Sequence, residues 1–219
     1  MAQTVTGTVF ELSKNGTETV LHSFAGSDGA YPWLTGVIRD ANGNLYGTTY
    51  EGGTNGYGTL FELSDSGQET VLHSFAGGTA DGCYPIGTPV MDHLGNLYGT
   101  TKSCGSSNLG TVWKLSKNGS ETVLHSFTGS DGAYPQASVI RDGKGNLYGT
   151  TQQGGTSGDG TVYELNKHGV LTVLYNFTGL SGNYWVGDLI RDANGNLYST
   201  TYDGGTYGYG MVFKLTPVE

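Results

Sequence analysis

Charge is scarce in this chain: Asp, Glu, Lys and Arg make up 13% of 219 residues, and Lys and Arg together number 10. No Lys/Arg run occurs and the net charge is -9. Nucleic acid or an anionic membrane surface would find no basic cluster here to neutralise its phosphates. No segment approaches the roughly 18 apolar residues of a membrane span, so membrane insertion is not expected. Met1 to Thr6 lacks the apolar core of a signal peptide, although Ala2-Gln3-Thr4 would suit the start of a mature chain after cleavage. Helix formers are few, composition does not shift along the chain, and residues 1-219 read as one domain. None of the patterns G-x-x-x-x-G-K-[ST], H-E-x-x-H or G-x-S-x-G is present, and no cofactor is expected. What is abundant is Gly, at 39 residues, and Tyr, at 15, a turn-rich β composition.

The dominant signal is repetition. GTVFEL at Gly7 returns as GTLFEL at Gly58, GTVWKL at Gly110, GTVYEL at Gly160 and GMVFKL at Gly210, about fifty residues apart each time. TVLHSF recurs from Thr19, Thr70 and Thr122, with TVLYNF from Thr172. DGAYP stands at Asp28 and Asp131, with DGCYP at Asp81. GNLYGTT follows from Gly43, Gly95 and Gly145, and GNLYSTT from Gly195. Each unit reads as four short strands: A, a segment ending in Asp (LTGVIRD, IGTPVMD, QASVIRD, VGDLIRD); B, GNLYGTT; C, GTVFEL; and D, ETVLHSF. Three-residue turns with Gly in third place, such as Ala41-Asn42-Gly43 and Lys14-Asn15-Gly16, join A to B and C to D as antiparallel hairpins. Four-stranded meanders at this period are propeller blades. A helical solenoid is excluded by the missing helical periodicity, and a flat sixteen-stranded sheet by its unprotected edges.

The units VIRDANGNLYGTT...GG...GYGTLFELSDSGQETVLHSF resemble the GloVer tandem repeat of bacteria, and the resemblance covers nearly the whole chain. It implies an exported, surface-associated repeat scaffold and brings no catalytic residues. The blade layout is also similar to that of NHL and lactonase propellers, which implies that A is innermost.

With A inside, complete blades run from about 33 to 75, 86 to 127 and 136 to 177. A, B and C at 186 to 216 then remain, with C and D at 7 to 24. The expected architecture is an all-β propeller of four blades. The N-terminal strand, Glu18 to Phe24, would pair with Gly210 to Leu215 to close the ring, either within one chain or between two chains as eight blades. Gly7 to Leu12 is then surplus. Small residues open the inner strands (Thr35, Gly87, Ala137, Gly187, then Gly36, Thr88, Ser138, Asp188), which favours few blades. The Tyr column (Tyr46, Tyr98, Tyr148, Tyr198) and the Phe column (Phe24, Phe75, Phe127, Phe177) read as packing between blades. Asp40, Asp92, Asp142 and Asp192 read as acceptors of turn amides.

Function is expected on the long D-to-A and B-to-C loops, which share one face. The ligand-binding candidates are Tyr31, Trp33, Tyr57, Tyr84, Tyr134, Tyr184, Trp185, Asp188 and Tyr207, because aromatic faces beside acids and amides suit sugar rings and hydroxyls. Asp188 alone breaks the inner-strand pattern. His22, His73 and His125, with Tyr175 in the fourth place, lie on outer strands too far apart to converge on one ion, so no metal site is expected. Cys83 and Cys104 depart from the repeat on the same face of one blade and are expected to form a disulfide, as in an oxidising, extracellular compartment. The sequons at Asn15, Asn118 and Asn176 are cheap matches, the first two being turn chemistry. The leading expectation is a non-catalytic extracellular module binding a glycan or another cell-surface ligand. The rivals are a self-associating scaffold, including a homodimer, and a propeller hydrolase or lyase using Asp188.

Overall fold

The computed structural model describes residues 6-179 and 187-216. Its seventeen strands there fall into five antiparallel sheets, taken in chain order. A two-stranded sheet joins β1 (Thr8–Leu12) to β2 (Glu18–Ser23). Three four-stranded blades follow: β3 (Ile38–Arg39), β4 (Leu45–Thr49), β5 (Thr59–Leu63) and β6 (Glu69–Ser74); β7 (Gly82–Met91), β8 (Leu97–Cys104), β9 (Thr111–Leu115) and β10 (Glu121–Ser126); β11 (Ile140–Arg141), β12 (Leu147–Thr151), β13 (Thr161–Leu165) and β14 (Leu171–Asn176). The last sheet has three strands, β15 (Ile190–Arg191), β16 (Leu197–Thr201) and β17 (Met211–Leu215).

The tight turns form as the sequence requires. Asp40 Oδ1 accepts the amides of Asn42 and Asn44 at 2.9 Å each, while its Oδ2 takes Asn44 Nδ2 and the Tyr46 hydroxyl. Asp92, Asp142 and Asp192 repeat the arrangement with Tyr98, Tyr148 and Tyr198. In each C-D ladder the register skips one Leu on the D strand, at 21, 72, 124 and 174. Such a bulge re-aims the extra side chain, and all four leucines pack against a core between sheets.

Those cores hold the fold together. Phe24 lies on Phe61, Phe75 on Trp113, Phe127 on Tyr163 and Phe177 on Phe213, with ring centroids 5.1 to 5.8 Å apart. The four Phe side chains are at most 1% exposed, each contributing roughly 1.5–3 kcal/mol of burial. Tyr98 and Tyr148 join the next blade's core, and Arg141 and Arg191 of that next blade lie over their rings.

The inner edge is fastened by a series of cross-blade bonds. Gly36 N–H donates to Thr88 Oγ1 at 2.7 Å, Thr88 N–H to Ser138 Oγ at 2.9 Å, and Ser138 N–H to Asp188 Oδ1 at 2.7 Å. A methyl group on Gly87, whose φ is +78, would lie 2.6 Å from Ser138 N. The small inner column therefore reflects this close approach of neighbouring backbones.

The ends differ from expectation. Strand β2 pairs with β1, the strand expected to be surplus, and β17 pairs with β16, so no ladder joins 18–24 to 210–215 among the described residues. A C–D hairpin closed by a three-residue turn forms locally, without waiting for a partner two hundred residues away.

Candidate functional site

The three described D-to-A loops are stiff corners. Asp28 Oδ1 accepts Ala25 N–H at 2.8 Å, and Asp28 Oδ2 lies 2.9 Å from His22 Nε2. Three residues later Tyr31 is held at φ +53, with Tyr84 at +60 and Tyr134 at +55, a region that a bulky residue enters only when its surroundings dictate it. They do so through the backbone. The amides of Tyr31, Tyr84 and Tyr134 donate to Thr6, Tyr57 and Leu109 in the preceding sheet at 2.7 to 2.8 Å. The carbonyls of Tyr31 and Tyr134 accept the amides of Tyr50 and Gln152. The Pro that follows covers the Gly opening the preceding C strand, as Pro85 covers Gly58 and Pro135 covers Gly110.

On this frame the first two blades bring aromatic side chains together. Trp33 meets Tyr50 edge-on at 5.4 Å, Tyr50 stacks on Tyr84 at 5.0 Å, and Tyr84 meets Tyr57 edge-on at 5.7 Å. Lys102 Nζ stands 6.0 Å from the Tyr50 ring. Trp33 remains 46% exposed, and the nearby Tyr31 54%. They border an open cleft of about 670 Å³ lined also by Pro32, Tyr50 and Glu51. Burial, and then the charge of Glu51, raise the Tyr50 hydroxyl above the ordinary phenol value. The Tyr84 hydroxyl is raised by burial first and by the neighbouring Tyr57 and Tyr50 next. Both therefore stay neutral hydrogen-bonding groups at neutral pH.

The disulfide supports this cluster. Cys83 and Cys104 are bonded, with Cα atoms 5.4 Å apart. They sit on paired strands rather than in loops, because the ladder of β7 and β8 continues to Gly82 and Cys104. Tyr84 follows Cys83 directly, and a methyl group on Gly77 would touch both the Tyr57 ring and Cys104 Sγ.

Of the candidate residues, Trp33, Tyr57 and Tyr84 converge, and Tyr31 lines the adjoining cleft. Tyr50, which completes the group, was visible as a loop aromatic without any sign that it links Trp33 to Tyr84. Tyr134 joins no ring pair among the described residues, and Tyr207 projects outward, 85% exposed. Tyr184 and Trp185 lie outside the described residues. Asp188 lines a separate cleft of about 550 Å³ with Leu34, Gln136, Tyr202 and Tyr209, and it is the one carboxylate among the described residues lining it. Its Oδ1 is engaged by Ser138 N–H, the place taken by Ser138 and Thr88 in the blades before.

The repeats and the geometry find counterparts among known proteins. The model of the Gloeobacter/Verrucomicrobia repeat family matches residues 2–213, and the chain belongs to that family. No curated protein is similar enough in sequence to count as a match. Among solved structures, a gluconolactonase of Xanthomonas campestris superposes with a TM-score of 0.56 at 16% identity, over 97% of this chain and 69% of its own. The extracellular domain of a B. thetaiotaomicron protein described as a one-component system superposes at 0.54 with 14% identity, over 91% of this chain and 23% of its own. At these identities the likeness is one of fold, and it is to propeller-like chains longer than this one.

Proposed function

We propose that this member of the Gloeobacter/Verrucomicrobia repeat family is a non-catalytic, extracellular binding module whose aromatic cleft takes a neutral carbohydrate. The observation that carries the reading is the convergence of Trp33, Tyr50, Tyr57 and Tyr84 on one rigid loop face. Rings fixed before the ligand arrives lose little entropy on binding, and their apolar faces suit the C–H face of a sugar. Glu51 and the neutral phenols supply polar groups at the rim. The disulfide supports placement in an oxidising compartment, and the likeness to an extracellular bacterial domain points the same way. Hydrolysis would need several different polar groups around one point; the cleft holding Asp188 supplies one carboxylate, which is already engaged.

The test is titration of the protein with a panel of neutral oligosaccharides. Trp33→Ala and Tyr50→Ala should each weaken binding about tenfold, equivalent to roughly 1.4 kcal/mol, while His125→Ala should leave it unchanged. A panel without a binder, or a Trp33→Ala variant that binds like the parent, would overturn the reading.

A second reading, ring completion between two copies, is favoured by the ends. Phe10, Leu12 and Val20 are exposed on the first sheet, and Ile190 and Val212 on the last. The counterparts of Phe10 and Val212 in the interior, Phe61 and Val162 among them, are buried between sheets. The two ends thus carry the two halves of one repeated interface, and head-to-tail contact would bury both. Sedimentation over a hundredfold concentration range tests it: a monomer throughout would dismiss it.

A further inference from the structure

The three histidines of the D strands do stand apart from one another, yet each meets other ligating groups. His73 Nε2 lies 3.1 Å from Asp81 Oδ2, and His22 Nε2 lies 2.9 Å from Asp28 Oδ2. In both places a glutamate enters from the next blade: Glu121, the first residue of β10, beside His73 and Asp81, and Glu69, the first residue of β6, beside His22 and Asp28. One ligating atom from each residue of a triad lies within 4.8 Å of the others. Glu69 Oε1 and Glu121 Oε1 are buried and have no hydrogen-bond partner. A buried carboxylate oxygen without a donor is costly. We infer that each triad, His73/Asp81/Glu121 and His22/Asp28/Glu69, is a binding site for a first-row divalent cation such as Zn²⁺, joining adjacent blades near their outer edge.

Three observations support the assignment. The carboxylate of Asp81 is oriented before any ion arrives, because Oδ2 accepts Ala76 N–H at 2.7 Å and Oδ1 accepts Gly82 N–H at 2.6 Å; such outer bonds fix a ligand's direction. The cluster holds two acids against one imidazole, an excess of negative charge that a dication neutralises. One imidazole nitrogen with two carboxylates matches zinc or manganese better than calcium, which takes six to eight oxygens. Binding at His73 Nε2 would require the ring proton to sit on Nδ1.

The third blade supplies an internal contrast. His125 Nε2 lies 2.8 Å from Asp131 Oδ2, as in the other two, but Leu171 opens the D strand where Glu121 and Glu69 do. The expected stoichiometry is therefore two.

Chelator-dialysed protein titrated calorimetrically with Zn²⁺ alone should bind two ions per chain in the micromolar range or tighter, with a concentration-dependent rise in melting temperature. Glu121→Leu, which copies the third blade, should reduce the count to one, and combination with Glu69→Leu should abolish it. The isosteric Glu121→Gln gives the same count in case Leu disturbs packing. His125→Ala should leave two. No binding at 100 µM Zn²⁺, or a stoichiometry that none of the Glu variants changes, would overturn the assignment; the latter would trace the ions to exposed groups such as His168.

Discussion

Pro85 of the second blade lies over Gly58 of the first so closely that a methyl group on Gly58 would sit 2.5 Å from the proline Cδ. The same contact joins Pro135 to Gly110 and Pro32 to Gly7. A backbone carbonyl is closer still, Thr49 O at 2.4 Å from such a methyl group on Gly58 and Thr101 O at 2.5 Å from one on Gly110, so each of these Gly positions is closed to a side chain from two sides. Gly58 is also at φ +96, so Gly58→Ala meets both a backbone penalty and a clash, expected to cost about 2–5 kcal/mol in urea unfolding. Gly67, at φ +84 with open space around it, provides the comparison. Gly67→Ala should cost only about 1–2 kcal/mol, and equal losses at both sites would show that the close contacts at Gly58, with Thr49 O and Pro85, are unimportant.

The disulfide predicts that denatured, unreduced protein contains no titratable thiol. Reduction, or Cys83→Ser with Cys104→Ser, should lower stability by about 2–4 kcal/mol. It should also broaden near-ultraviolet signals from the neighbouring Tyr57 and Tyr84 cluster. Unchanged stability after confirmed reduction would contradict this.

Two carboxylates set opposite pH dependences in metal-free protein. Glu121, whose neighbours are Asp81 and His73, is raised from 4.5 to about 7. The native state keeps a proton there that the unfolded chain loses, so this contribution is present below about pH 4.5 and is lost as pH rises through 7. At Asp92 burial acts upward, but the bonds from Asn96, Tyr98 and the Leu94 amide outweigh it and lower the value from 3.8 to about 2. Its contribution is present above about pH 4 and is lost as pH falls through 2. Urea unfolding in chelator across pH 2 to 8 should show both slopes. Glu121→Gln should remove the upper slope alone, and its persistence would reassign it to another group.

Asp188 is expected to act as a fastener. Asp188→Ala leaves Ser138 N–H without its acceptor and should cost about 1–3 kcal/mol, whereas Asp188→Asn retains an acceptor oxygen and should fold nearly as well as the parent. If Asp188→Ala unfolds like the parent, the bond to Ser138 contributes nothing measurable.

Much of this was legible because it is repeated. The strand order, the Asp turns and the Phe and Tyr columns could be read from period and residue type, since each copy confirmed the others. Cys83 and Cys104 were legible for the opposite reason, as two departures from the pattern in one blade. What escaped notice depends on contacts between blades, where partners lie about fifty residues apart. Asp188 looked like an isolated acid because the amide it binds belongs to Ser138. Glu69 and Glu121 carried no sign of their partners because His22 and His73 belong to the previous sheet. One contrast was nevertheless present, in the Leu171 that opens the fourth D strand where Glu opens the other three. The length of β7, ten residues against two in β3, β11 and β15, was not legible either; the Cys83–Cys104 cross-link lies at the end of its ladder with β8.

The bonds along the inner edge all run one way, and Thr88 and Ser138 in the middle each offer an amide forward and receive one on a side-chain oxygen. Such a fastening is modular: a duplicated fifty-residue unit inserted between blades arrives with both its donor and its acceptor. Growth in this direction needs no compensating change elsewhere. Gly36, with no side chain, can give a bond but not receive one, so the series has a first member fixed by a single missing atom group. A side chain there would come within 3.0 Å of Thr88 Oγ1, the acceptor of Gly36's own bond, so the first position is small for the same reason that it only gives.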